Sequence, residues 1–196
     1  MPSAVVIVAT VRALKYNGGV ARAELDREDL EALEAGMPNL LRHVSNIRDV
    51  FGLPCVVAVN AFPTDTRSEL DLVTESCRRL GVSAVLFEGW AKGGEGGETL
   101  AREVVRLCEG PSELHHPYEL DEGIEGKLNA VATKVYRADG IDLTPAAARQ
   151  LRQLEEQGFG GLPVCVAKTP YSFSDDQTKL GAPDRKSTRL NSSHGS

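Results

Sequence analysis

The sequence predicts an α/β protein, a parallel sheet with flanking helices followed by a smaller α/β C-terminal region. Three observations carry that prediction. Continuous apolar runs at residues 2–10, 55–60 and 82–87 have strand length and no polar face, as strands covered on both sides do. Stretches of helical periodicity alternate with them. Breaks rich in glycine or proline, such as Gly18-Gly19, Pro54 and residues 93–97, separate the segments. Such alternation implies parallel neighbours joined by right-handed crossovers.

In order, residues 2–10 form the first strand and Gly18-Gly19 breaks the chain. A helical stretch over residues 26–51 follows, interrupted at Gly36-Met37-Pro38; its second half sets Leu40, Val44, Ile47 and Phe51 on one stripe. Pro54 introduces the second strand, residues 55–60. A polar turn over 62–67 leads to a helix carrying Leu72, Val73, Cys77 and Leu80, then to the third strand, 82–87. The glycine turn from Trp90 to Glu98 precedes a helix patterned by Leu100, Ala101, Val104, Val105 and Cys108. Residues 109–117 are turn-rich and mark a boundary, giving a core portion over 1–110 and a smaller region over 111–183. In the latter, Ile124, Leu128, Val131 and Val135 pattern one helix. Thr144-Pro145 starts another as N-cap and first residue, and Gly158 ends it. Residues 162–168 read as a last strand. Residues 184–196 have no apolar period and resemble the translation of a sequencing adapter, so they read as a non-native, disordered tail.

Composition narrows the function classes. The 196 residues are 41% hydrophobic and 26% charged, the balance of a soluble globular protein. The apolar runs fall far short of the roughly 20 residues a membrane helix needs. No basic segment precedes a secretory core, so the expected location is cytoplasmic. Cysteines 55, 77, 108 and 165 form no C-x-x-C and read as reduced thiols in apolar runs. The four histidines lack ligand spacing, so no metal set is expected. A net charge of −6 without a basic stripe argues against a nucleic-acid surface.

In open α/β sheets, ligands collect beyond the carboxyl ends of strands. Those ends carry Thr10, Arg12 and Lys15, then Asn60, Phe62, Thr64 and Asp65. Trp90, Lys92 and the glycine turn follow, and finally Lys168, Thr169 and Tyr171. Trp90, the one tryptophan, reads either as packing or as a ligand platform; Gly93, Gly94, Gly96 and Gly97 leave it little to pack on. Phe62 is a large apolar residue inside a polar turn, and two aromatics on adjacent loops can sandwich a flat heterocycle. Lys92 favours an anion at the glycine turn, whereas Glu95 and Glu98 oppose one. The turn contains no G-x-x-x-x-G-K-[ST], so it is not a phosphate loop of that type. Asn60-Ala61-Phe62-Pro63 likewise departs from the guanine-reading N-K-x-D.

Four segments together resemble the formate–tetrahydrofolate ligase (10-formyltetrahydrofolate synthetase) family. They are Val8-Ala9-Thr10-Val11-Arg12-Ala13-Leu14-Lys15, Asn60-Ala61-Phe62-Pro63-Thr64-Asp65-Thr66, Trp90-Ala91-Lys92-Gly93-Gly94-Glu95-Gly96-Gly97, and residues 162–169 with 171–176. The resemblance implies a P-loop NTPase-like core. It also implies an ATP- and magnesium-dependent ligase that makes formyl phosphate, which the N10 amine of tetrahydrofolate then attacks. Formate, ATP and tetrahydrofolate are the implied partners, with no nucleic acid or membrane, in a homo-oligomer. By resemblance Phe62 and Trp90 flank the pterin and Leu86 supplies an apolar wall. Thr10 and Asn60 fall on the nucleotide side, and Arg12 and Lys15 are the catalytic cations. Gly93, Gly94, Gly96 and Gly97 shape the loop. The family's phosphate-binding lysine and threonine lie upstream of V-A-T-V-R-A-L-K and have no counterpart here. The chain therefore reads as a central-to-C-terminal fragment that is inactive alone. The alternatives are a non-catalytic nucleotide- or ligand-binding α/β module, and a fragment that folds only within a longer protein.

Overall fold

A computed structural model of the chain describes residues 1–166, 172–174, 178, 180–182 and 188–190. Among them β1 (Val5–Ala9), β2 (Cys55–Asn60) and β3 (Ser83–Phe87) form a parallel sheet in the order β1-β2-β3. The chain is an α/β protein, as its alternating pattern implies. Helices α1 (Val11–Asn17), α2 (Leu30–Ser45), α3 (Arg67–Arg79), α4 (Gly89–Lys92) and α5 (Glu98–Cys108) belong to the same unit. Strand β2 is buried from Cys55 to Val59 because both its faces are covered. Cys55, Val57 and Val59 join a core with Leu14, Leu33, Val73 and Cys77 from α1, α2 and α3. On the opposite face α5 packs against β2 and β3. Strand β1 lies at the sheet edge, so its residues alternate: Ile7 packs on the core while Val8 is 66% exposed.

Helix α2 runs without a break through Gly36-Met37-Pro38, contrary to the interruption expected there, and ends in a wide turn over Asn46–Val50. Pro38 lies on the exposed side, where its missing hydrogen bond leaves a carbonyl that water can satisfy. Gly36 serves packing instead. A Cβ there would sit 1.9 Å from the Leu14 carbonyl oxygen, and one at Gly18 would sit 1.8 Å from that of Ala32. The backbones of α1 and α2 therefore touch directly, which only hydrogen side chains allow.

A second unit comprises residues 116–179 and 183–196, and Leu180–Ala182 returns to the first unit. There the Asn39 side-chain amide donates to the Gly181 carbonyl at 2.7 Å, and Gly181 N donates to Asn17 Oδ1 at 3.1 Å.

The second unit contains α6 (Gly123–Ala130), β4 (Ile141–Leu143), α7 (Pro145–Glu156) and β5 (Thr188–Leu190). Thr144 caps α7 by accepting from Ala147 N at 3.2 Å, and Gly158 turns left-handed at φ 86° beyond its end, as the sequence implies. Residues 162–166 are not a strand. Tyr118 Oη occupies the position a neighbouring strand would take, accepting from Val164 N at 3.0 Å and donating to Val164 O at 3.1 Å. Within the tail read as disordered, β5 pairs in parallel with β4. Lys127 is wholly buried, its ammonium held by the carbonyls of Gly160 (2.6 Å) and Leu162 (3.0 Å).

Candidate functional site

The register brings three strand ends level. Ala9 pairs with Val59 and Asn60 with Phe87, so Thr10, Asn60 and Phe87 emerge along one edge. Thr10 caps α1, its hydroxyl accepting from Ala13 N at 3.1 Å. Ala61 N donates to Phe87 O at 3.1 Å, which extends the β2–β3 pairing by one residue. Phe62 follows, half-buried, in a closed turn. Its N–H donates to Asp65 Oδ2 and its carbonyl accepts from Asp65 N, each at 2.9 Å. Phe62 and Trp90 thus leave the sheet two residues past Asn60 and three past Phe87, from paired strands. Leu86 pairs with Val59 and packs on the core, half-buried.

The segment read as a glycine turn is more regular than that. Trp90 sits on α4, 72% exposed, and a tight turn over Glu95–Gly97 leads into α5. Several of its N–H groups are spent within the segment. Ala91 N and Lys92 N donate to Glu88 O at 3.0 and 2.9 Å, Gly93 N to Gly89 O and Gly97 N to Gly94 O at 3.0 Å, and Glu88 N to Gly96 O at 3.2 Å. The Lys92 ammonium is held by Glu88 Oε2 at 2.6 Å, a pairing that raises its pKa. The donors of Lys92 and Gly93 are thus used internally, and a phosphate loop of the G-x-x-x-x-G-K-[ST] type is absent from the segment. Gly93 takes φ 57°, a backbone that side chains resist. A Cβ at Gly96 would lie 2.5 Å from the Glu88 carbonyl oxygen, and one at Gly97 3.1 Å from the Phe87 ring, while Gly94 faces open space. Gly89 was not singled out by the sequence, yet its Cβ would lie 2.3 Å from the Phe87 ring. Phe87 is thus the floor of this loop; its place at a strand end directly before Glu-Gly is the signal for it.

The cations diverge. Arg12 pairs with Asp26 at 3.2 Å and keeps 43% of its side chain exposed. Lys15, which the sequence places with Arg12 beyond the end of β1, has no exposed surface. Its ammonium donates to Glu69 Oε1 and to the Arg27 carbonyl, both at 2.7 Å. A buried ammonium requires such a counter-charge, so Lys15 is committed inside the fold rather than open to a ligand. Glu69 also accepts from Thr66 N at 3.0 Å and Asp29 N at 3.2 Å. Burial pushes its carboxyl up, but Lys15 and these N–H groups more than offset that and hold it below the ordinary value. Asp65 is pushed up by burial; Glu69 adds to the rise, while the Phe62 N–H, Lys15 and Arg12 oppose it. Sequence reasoning missed Glu69, although Thr66-x-x-Glu69 is a legible capping box, and the structure forms it. Lys168, Thr169 and Tyr171 lie outside the described residues.

Among the described residues no group of three or more His, Cys, Asp or Glu could hold a metal ion, and no helix is long and apolar enough to cross a membrane. A family model described as formate–tetrahydrofolate ligase matches residues 1–192.

Proposed function

The chain belongs to the formate–tetrahydrofolate ligase family, and we propose that it carries the folate side of that enzyme's site. Phe62 and Trp90 flank the pterin ring, with Leu86 as an apolar wall. The observation that carries this reading is the Asn60–Phe87 pairing, which launches both aromatic residues from adjacent strand ends. The exposed face of Trp90 supports it, since stacking of a base-like ring contributes about 1–3 kcal/mol per aromatic. ATP and tetrahydrofolate are the family's substrates together with formate. The ligation runs through formyl phosphate: the N10 amine of folate forms the new N–C bond as the C–O bond to phosphate breaks and phosphate leaves. Thr10 and Asn60 border the nucleotide, and the exposed Arg12 guanidinium offsets the negative charge of the leaving phosphate. Gly93, Gly96 and Gly97 shape the loop that carries Trp90: Gly93 by its backbone, Gly96 against Glu88 and Gly97 against Phe87.

The residues described here do not fit a magnesium–triphosphate cradle. The sequence has no G-x-x-x-x-G-K-[ST], and the Lys92 ammonium beside the glycine segment is held by Glu88. The chain alone therefore does not complete the ligation, and 10-formyltetrahydrofolate formation by the purified chain with ATP and formate would contradict this.

Fluorescence of the one tryptophan tests the folate site. Tetrahydrofolate quenches Trp90 in the folded chain and ATP alone does not. A folded chain whose emission is indifferent to folate overturns the reading and favours a binding module of other specificity.

A further inference from the structure

We propose that Lys15 and Glu69 form a buried hub that positions the Phe62 turn for the pterin, making Lys15 a positioning residue rather than a phosphate contact. This rests on the folate reading above. Both side chains have no exposed surface. Burying an ion pair costs desolvation that its attraction barely repays, and two apolar residues of similar volume would stabilise as well or better. A capping box needs neither a lysine nor burial to start α3. What the pair supplies is geometry.

Both oxygens of Glu69 are fixed: Oε1 by the Lys15 ammonium and Asp29 N, Oε2 by Thr66 N. Lys15 is fixed in turn by the Arg27 carbonyl. One carboxylate therefore ties α1 to the N-cap of α2, Asp29, and to the N-cap of α3, Thr66. Thr66 adjoins Asp65, whose carboxylate grips the Phe62 N–H at 2.9 Å. The path Lys15, Glu69, Thr66, Asp65, Phe62 is continuous, and every link is a hydrogen bond or a peptide bond. The charges facing Asp65 are Glu69, Lys15 and Arg12, so the same hub sets the field in which the clasp works.

The test uses the full chain and Trp90 quenching by tetrahydrofolate, with hydrogen exchange over residues 60–66. Lys15→Met is expected to weaken folate binding by about tenfold, the share one misplaced ring forfeits, and to speed exchange in that stretch. Lys127→Met, which removes another wholly buried ammonium, leaves both unchanged while still lowering the urea midpoint. Paired with Glu69→Gln, the double variant is no weaker in folate binding than the worse single one, because both act through one hub. Removing the Lys15 charge also raises the pH at which Asp65 protonates, so the acid limb of folate binding moves to higher pH. A merely structural lysine would not shift that limb. Asp65→Ala, on the partly exposed turn, reproduces the folate defect in a chain that folds, should Lys15→Met not fold. Folate affinity within about twofold of wild type in folded Lys15→Met, or in Asp65→Ala, overturns the proposal. If wild type itself does not bind folate, the functional reading fails, and exchange over 60–66 in Lys15→Met still decides whether the hub holds the turn.

Discussion

Four glycines of one loop respond differently to alanine, because the structure asks different things of each. Gly94 has φ −61° and ψ −35°, an ordinary helical backbone, and nothing lies within 4 Å of its would-be Cβ. Gly94→Ala should stabilise by about 0.4–1 kcal/mol, through the entropy the unfolded chain loses. At Gly96 the new Cβ would stand 2.5 Å from the Glu88 carbonyl oxygen and 2.6 Å from its carbon, both backbone atoms that cannot rotate away. The segment must open, stretching the 3.2 Å bond from Glu88 N to Gly96 O. Overpacking of this kind costs about 1–3 kcal/mol, and a lost hydrogen bond about 1 kcal/mol more. Gly93, at φ 57° and ψ −135°, has room but the wrong backbone for a side chain, a strain of about 1–3 kcal/mol. At Gly97 the obstacle is a ring edge at 3.1 Å, which yields more easily than backbone. Urea unfolding followed by Trp90 emission reports on this loop directly. The midpoints should fall in the order Gly94→Ala, wild type, Gly97→Ala, with Gly93→Ala and Gly96→Ala lowest. Equal losses at 94 and 96 would refute the reasoning, since the loop would then be responding to glycine content and not to the contacts described.

Two further outcomes follow from buried groups. Burial pushes the Cys55 thiol up and drives Cys77 to about 11, with Cys55 nearby adding to the latter. A thiol reagent at neutral pH should label the exposed Cys108 and Cys165 rapidly, and all four cysteines only once urea is added. Rapid labelling of Cys55 or Cys77 in the native chain would contradict the packed core. Glu69, held below its ordinary value of 4.5, contributes stability that is complete above that value and is lost as pH falls through its lower folded value. Glu69→Gln should cost about 3–5 kcal/mol near neutrality, because Lys15 is left buried without its counter-charge. Its urea midpoint should also fall less steeply than wild type below about pH 4.5, the opposite trend from the raised Asp65 tempering both.

The three-stranded sheet was legible because each strand is a continuous apolar run; in β2 that run reflects burial on both faces, whereas β1, read the same way, leaves Val6 and Val8 exposed on one face. The aromatic residues beyond its carboxyl edge were legible for a related reason, since position along a parallel strand is enough to say where it ends. Gly36-Met37-Pro38 misled because glycine and proline usually punctuate. Here the proline faces solvent and the glycine answers to Leu14, a contact that local pattern does not encode. Residues 162–166 misled through β-prone composition: a strand needs a partner, and Tyr118 stands in its place. The hub was out of reach from sequence because Lys15 and Glu69 are separated by 54 residues. A lysine at a strand end resembles a ligand contact until a carboxylate is found covering it.

The return of Leu180–Ala182 to the first unit has a bearing on biosynthesis. Its bonds with Asn39 and Asn17 close loops of 142 and 164 residues, and the entropy of closing them grows only slowly with length. Timing matters more. At roughly 5–20 residues per second, Gly181 emerges several seconds after the rest of that unit has been made. Through that interval the α1–α2 surface that receives it faces solvent or a chaperone. The stitch that closes this unit is thus sewn by a segment made well after the rest of it, and a ribosome that stalls before it releases a unit with its sheet formed and its seam still open.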